Sequence, residues 1–320
     1  MKQSPLVLLV LPLLVLPAIS PALMCQVLLP SASAQRVLVE GSSQTTTRPK
    51  WEHGFLARFD FPTATVVIVD RGGRVVLRSR LWPDQANQVR IRDVAVSPRG
   101  SFAATFSALS VDGAPGAFIG FFDASGKPAK LVRTTPAAAL RICFLDDGTL
   151  WALVRMHDDQ FNELPEYDML RHYSADGVLI GTALPRQTVA AKEFPGEQGS
   201  LVASHDRVGL YLNGSKTWVD LSYSGQVLGR WQMPDHNEQY SQVLLSPTNE
   251  VFVDSQERRS KTAKSIFQCY RFDRGSGSLI PLDRSAISNS GPLFLLGFDG
   301  DLLVTSLSMG VPTLVWANAQ

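Results

Sequence analysis

His157-Asp158-Asp159 joins an imidazole to two carboxylates, residue types that ligate a metal or remove a proton. Asp235-His236-Asn237-Glu238, with Tyr240 just beyond, offers the same chemistry further along the chain. Adjacent side chains at one strand end point apart, and a hard cation needs oxygens gathered from several segments. Each stretch is therefore first a solvated acidic loop, and the two together are the best pair of contributors to a cation site. Arg258-Arg259 with Lys261 and Lys264 forms the one basic run, suited to an anionic headgroup, a glycan or an acidic protein segment, or to a plain solvated loop tip. Trp82, followed by Asp84 and Gln88, sets an aromatic face beside polar groups, as sugar and peptide sites do. Glu193 and Glu197 could do acid–base work only at a fixed separation, and they sit in a Pro-Gly loop. Arg92 and Arg141 hold matching positions at the starts of two strands, with Asp93 beside the first. They read equally as guanidiniums around a channel opening and as structural charge pairs. No G-x-S-x-G, Walker, H-E-x-x-H or C-x-x-C pattern is present, so no catalytic or metal-binding residue is assigned and no cofactor is expected.

The elements that must position these groups are strands. Hydrophobic content of 45% and charge of 18% are globular values, and a net charge of +1 disfavours nucleic acid as a partner. Residues 1–34 read as a secretory signal peptide: Lys2, an apolar run from Leu6 to Leu16, then Ala32-Ser33-Ala34 before Gln35. An uncleaved anchor is the alternative, since Pro5 to Leu29 is long enough to span a bilayer; prolines 12, 17 and 21 and the small-residue site favour cleavage. The expectation is a secreted or periplasmic protein with no stable membrane span after cleavage. Export would leave Cys143 and Cys269, each inside an apolar strand and two repeats apart, as buried thiols rather than a disulfide.

Residues 35–54 follow as a linker with a possible closing strand, and 55–320 as one domain. Within it one hairpin turn recurs. Its last glycines, Gly73, Gly126, Gly177, Gly225 and Gly277, follow one another at 48 to 53 residues. A second class interleaves with it at Ser97 to Gly100, Asp146-Asp147-Gly148, His205-Asp206-Arg207, Ser246 to Asn249 and Phe298-Asp299-Gly300. Between the turns run short apolar strands such as Thr65 to Val69 and Leu150 to Val154, without a sustained 3.6-residue period. Four short strands per repeat of about 45 to 50 residues are the size of a propeller blade, which cannot bury both faces alone and must stack on copies of itself. The spacing predicts an all-β propeller of four-stranded antiparallel blades, most simply six, with five or seven as alternatives. Spare strands at both ends, Arg36 to Val39 and Phe55 to Phe59 in front and Thr313 to Trp316 behind, are read as pairing to close the ring.

Asp93-Val94-Ala95-Val96-Ser97-Pro98-Arg99-Gly100-Ser101 and Gly120-Phe121-Phe122-Asp123-Ala124-Ser125-Gly126 resemble the inner hairpin and outer turn of NHL-type six-bladed propellers. The likeness covers most of Phe55 to Trp316, without the Asn-His-Leu signature or a WD dipeptide. Propellers host enzymes, binders and scaffolds alike, so the fold alone assigns no activity. The long connections, Trp82 to Gln88, Ser107 to Gly116, Met156 to Tyr167, Pro185 to Ser200, Met233 to Gln239 and Ser255 to Ser265, all belong to one face. Long loops on a rigid frame are where binding concentrates. The expected function is an exported, non-catalytic propeller that binds a protein or small extracellular ligand through that face. The candidate contacts there are Trp82, Asp84, Arg92, Arg141, His157, Asp158, Asp235, His236, Tyr240, Arg258 and Arg259. Two alternatives stand beside it: a calcium-dependent hydrolase like the gluconolactonases, which use channel carboxylates and amides from different blades, and a structural part of a cell-envelope assembly.

Overall fold

The computed structural model describes residues 26–30, 36–40, 49–81, 86–160, 162–189, 199–234, 239–257, 266–283, 293–307 and 313–319. Two N-terminal strands, β1 (Gln26–Pro30) and β2 (Val37–Leu38), are incorporated into the last sheet. Blade one follows as β3 (Lys50–Glu52), β4 (Phe55–Asp60), β5 (Thr65–Val69) and β6 (Val75–Arg80). Blade two is β7 (Ala86–Val96), β8 (Phe102–Ser110), β9 (Pro115–Phe122) and β10 (Pro128–Arg133). Blade three is β11 (Ala137–Phe144), β12 (Leu150–Met156), β13 (Asp168–Tyr173) and β14 (Leu179–Pro185). Blade four is β15 (Ser200–Ala203), β16 (Arg207–Leu212), β17 (Thr217–Ser222) and β18 (Val227–Gln232). Blade five is β19 (Gln239–Leu245), β20 (Val251–Glu257), β21 (Ile266–Asp273) and β22 (Ser278–Asp283). Blade six holds β23 (Phe294–Asp299), β24 (Leu302–Ser306) and β25 (Thr313–Ala319), and its outer place is filled from the other end of the chain. There Leu38 pairs antiparallel with Thr313, and Leu28 with Ala319; β1 lies inside the stretch read as a signal peptide, so cleavage after Ala34 would remove it and leave β2 as the closing strand.

Burial shows why a blade cannot stand alone. Every residue of β12 from Leu150 to Val154 is buried, whereas outer strand β10 is exposed along most of its length. Inner and middle strands are thus covered on both faces, which explains their nearly continuous apolar runs. The covering comes from neighbouring blades. Val66 and Ile68 of blade one pack with Val94 and Phe102 of blade two. Phe121 meets Ile142 and Ala152, Trp151 meets Leu210 and Val219, and Trp218 meets Val243 and Val253. Phe252 then meets Leu303 and Val315, and Val304 and Trp316 return to Leu56 and Val67 of blade one. Each blade-to-blade step has its own apolar cluster, including the step from six to one, so the six blades form a closed ring.

The closing contact is tight. Glu40 N donates to Gly73 O at 3.1 Å, so the segment after β2 rests on the β5–β6 turn. Gly73 has φ +81°, and a Cβ there would strike the Val37 side chain and the Leu38 carbonyl. Glycine is required at this turn for conformation and for space together.

Three expectations are corrected. Phe55 to Phe59 is not a spare closing strand: it is β4, second in blade one, because Lys50–Glu52 supplies the inner strand from within the stretch read as linker. Ser107 to Gly116 is not an irregular loop. Strands β8 and β9 stay paired from Phe102↔Phe122 out to Leu109↔Pro115 and turn only at 111–114, with Gly113 N donating to Ser110 O at 2.9 Å. Extended β7 pairs along the same length, and Asp112-Gly113 is a competent tight turn, so strand pairing satisfies the backbone better than a loop. For the same reason Gln88, expected in a loop, lies within β7. Cys143 and Cys269 are both buried, and neither is in a disulfide. Among the described residues no helix is long and apolar enough to cross a membrane.

Candidate functional site

Innermost strands of a propeller run side by side around the axis, so their side chains and first turns define whatever space the axis contains. Here that space is a cavity of about 380 Å³. It is reached from β3, β11, β15, β19 and β23 and from the turns that follow them: His53 and Gly54, Asp146, Ser204 and His205, Pro247, and Asp299 and Gly300. All five turns join a first strand to a second, so the cavity opens on the tight-turn face, opposite the long connections. Phe144, Leu244, Leu296 and Phe298 give it apolar walls, and its volume is within the range of small-molecule sites.

Its deep end is ionic. Lys50 on β3 donates to Asp93 Oδ2 of blade two at 2.7 Å and to Ile142 O of blade three at 3.0 Å. The same Asp93 oxygen accepts from Ile142 N at 2.9 Å, so a single carboxylate ties three blades together. Asp93 is 3% exposed, and a charge buried that far needs such a partner. Glu52, two residues along β3 on the same side as Lys50, accepts from Val96 N at 2.9 Å, and its Oε1 lies 4.0 Å from Lys50 Nζ. Burial pushes its carboxyl up to about 7, against the opposing pull of Lys50 and the Val96 amide. Cys143 is here as well, its thiol pushed up by burial and kept in the unreactive protonated form.

The rim carries a carboxylate flanked by two imidazoles. His205 Nδ1 lies 2.6 Å from Asp146 Oδ2, and His53 Nδ1 lies 4.0 Å from Asp146 Oδ1. Burial lowers the pKa of His53 and favours its neutral form, although Asp146 and a backbone hydrogen bond with Phe144 pull the other way. Asp299, also on the lining, accepts from Trp316 Nε1 at 2.8 Å and pairs with Arg71 at 3.0 Å. Among the described residues no three His, Cys, Asp or Glu side chains converge as metal ligands. Where a cation meets the deep carboxylates, the chain supplies its own, the Lys50 ammonium.

Those residues singled out from sequence that the structure describes are not on this lining. Arg141 is buried on β11 and donates through Nε to Gly199 O at 2.8 Å and through Nη1 to Leu140 O at 2.6 Å, which favours its structural reading. Arg92 lies on β7 near His157, whose pKa is lowered by burial and by the charges of Arg155 and Arg92. Asp158 closes its own loop: Oδ1 accepts from Gln160 N at 2.9 Å and Asn162 N at 2.8 Å. The well-built group at that end is one the spacing did not reveal. Glu163 accepts from Arg186 Nε at 2.8 Å and Tyr167 Oη at 2.8 Å, and pairs with Arg155 at 3.2 Å. Tyr240 is the second residue of β19, while Trp82, Asp84, Asp235, His236, Arg258 and Arg259 lie outside the described residues, as do Glu193 and Glu197.

Lys50, Glu52, His53, Asp146 and His205 were missed because sequence reading treated their stretches as linker or as tight turns. The available signal was the repeat itself: aligned by period, the turns after each first strand must meet around the axis, and charged residues in them face one another.

No family model matches the chain, and no curated protein matches it. Solved structures do. A Bacteroides fragilis protein described as exported aligns at 11% identity and TM-score 0.54, covering 92% of this chain and 94% of that one. A luciferin-regenerating enzyme aligns at 11% identity and TM-score 0.51, covering 87% and 92%. A gluconolactonase of Xanthomonas campestris aligns at 12% and 0.49, covering 90% and 91%. At such identities the first two likenesses show the fold and nothing finer, and they agree with the chain's own geometry: a β-propeller of six four-stranded blades, closed by its N-terminal strand.

Proposed function

We propose that this protein is an exported, non-catalytic propeller with NHL-type repeats that binds a small ligand in its axial cavity, through the tight-turn mouth. The observation that carries this reading is a cavity of about 380 Å³, framed by five blades and open at the tight-turn face, in which apolar walls surround a few fixed polar groups. The long-connection face, with Arg92, His157 and the Glu163 cluster, is left as the surface for a protein partner. The hydrolase alternative asks for a cation held by carboxylates from several blades; Asp93 and Glu52 instead have the Lys50 ammonium beside them, at 2.7 and 4.0 Å.

A thermal-shift panel tests the reading with n-butylammonium, butyrate and glucose, each on the wild type and on Val202→Phe, whose added ring fills the cavity wall. Stabilisation by one probe that disappears in Val202→Phe is expected, since a ligand of the folded state raises the melting temperature. Stabilisation that persists in the filled variant overturns the cavity as the site.

A further inference from the structure

Two carboxylates on the cavity lining, Glu52 and Asp146, accept no hydrogen bond from a lysine or an arginine among the described residues. Lys50 is committed to Asp93 and the Ile142 carbonyl, and Arg71 is committed to Asp299. What remains on the lining is Glu52 inside and Asp146 at the rim, with His53 and His205. Asp146 has His205 Nδ1 2.6 Å from Oδ2, while its Oδ1 faces His53 Nδ1 at 4.0 Å, and burial favours the neutral form of His53. The Glu52 side chain, 16% exposed on the lining, has Lys50 Nζ 4.0 Å from its Oε1, beyond hydrogen-bond reach, while its other oxygen accepts from Val96 N. A carboxylate oxygen on a cavity wall with no hydrogen-bond donor of its own gains from one that arrives.

Resting on the axial cavity as the ligand site, we propose that its ligand is a small organic cation, an amine or quaternary ammonium, whose charge faces Asp146 and Glu52 while its carbon skeleton lies against Phe144, Leu244 and Phe298. A bare metal ion fits less well, because it needs several convergent ligands, whereas an alkylammonium needs one or two carboxylates and an apolar or aromatic wall. The raised Glu52 pKa agrees with this: a cation beside it favours the ionised form, so binding near neutral pH releases protons.

The test compares n-butylammonium chloride, sodium butyrate and sodium chloride at equal ionic strength on the full chain, by thermal shift and by calorimetry in buffers of different ionisation enthalpy. A rise of about 2 °C or more with butylammonium alone is expected. Asp146→Asn and Glu52→Gln should each weaken binding by about tenfold, since both are close to isosteric and remove one charge. Calorimetry on the wild type at pH 7 should show release of about half a proton. A butylammonium shift that survives both substitutions, or binding without proton release, overturns the assignment. Stabilisation by butyrate instead, lost in Val202→Phe, overturns the cation while leaving the cavity as the site. No shift with any probe overturns both.

Discussion

Replacing Glu52 by glutamine should flatten the fall in stability that the wild type shows between about pH 4.5 and pH 7. In the unfolded chain this carboxyl ionises at its ordinary 4.5, and in the native protein only near 7. Below the first value both states hold the proton and Glu52 adds no pH dependence. Between the two values the unfolded chain gives up a proton that the native state keeps, so stability falls as pH rises. Above 7 both are ionised and the loss is complete. The gap from 4.5 to about 7, at about 1.4 kcal/mol per pH unit, amounts to about 3 kcal/mol. Glutamine retains an oxygen to accept from Val96 N, so the substitution removes the titration and leaves the hydrogen bond. Urea unfolding of both proteins at pH 4, 5.5, 7 and 8 gives the difference directly, and other titrating groups cancel in it. The variant should gain about 3 kcal/mol on the wild type across the series, or about 5 °C in melting temperature for a chain of this length. Parallel profiles for the two proteins would show that Glu52 is not held in a desolvated site, and the description of the channel interior would be wrong.

Other perturbations follow from the same geometry. Lys50→Met strands the Asp93 carboxylate at 3% exposure and should destabilise by about 3–5 kcal/mol, with much of the loss recovered in the Lys50→Met/Asp93→Asn double variant; equilibrium unfolding reads both. Gly73→Ala places a methyl group against Val37 and the Leu38 carbonyl and should release the closing strand, seen as faster proteolysis near residues 36–40 without loss of far-ultraviolet β signal. Cys143 and Cys269 should ignore Ellman's reagent in the native state and react at once in denaturant, since both are buried and the Cys143 thiol is pushed up by burial.

The ring is more legible in the sequence than the site, for a physical reason. Turn chemistry is local: aspartate, serine and glycine at Asp70 to Gly73 or Asp123 to Gly126 announce a hairpin whatever lies around them. Repetition of that signal at one period identifies the blade. Strand Lys50–Glu52 carries no such mark, because a three-residue strand holding a lysine and a glutamate looks like linker until Trp51 is seen filling the joint between blades one and six. The cavity groups are non-local in the same sense. Lys50, Asp93 and Ile142 belong to three different blades, and nothing in their neighbours along the chain reports that they meet. Conversely, the His157-Asp158 stretch looked chemical in sequence, yet Asp158 is occupied in holding the turn from Gln160 to Asn162.

The whole description depends on the chain closing on itself, and one cross-link tests that most directly. Leu38 and Thr313 face each other across the β2–β25 pair, so Leu38→Cys with Thr313→Cys, in a Cys25→Ser background, should form an intramolecular disulfide under mild oxidation. A bond joining positions this far apart in sequence should stabilise the protein by about 5 kcal/mol against its reduced form. Absence of that bond in the folded monomer, or its formation only between separate molecules, would contradict a ring closed by its own N-terminal strand.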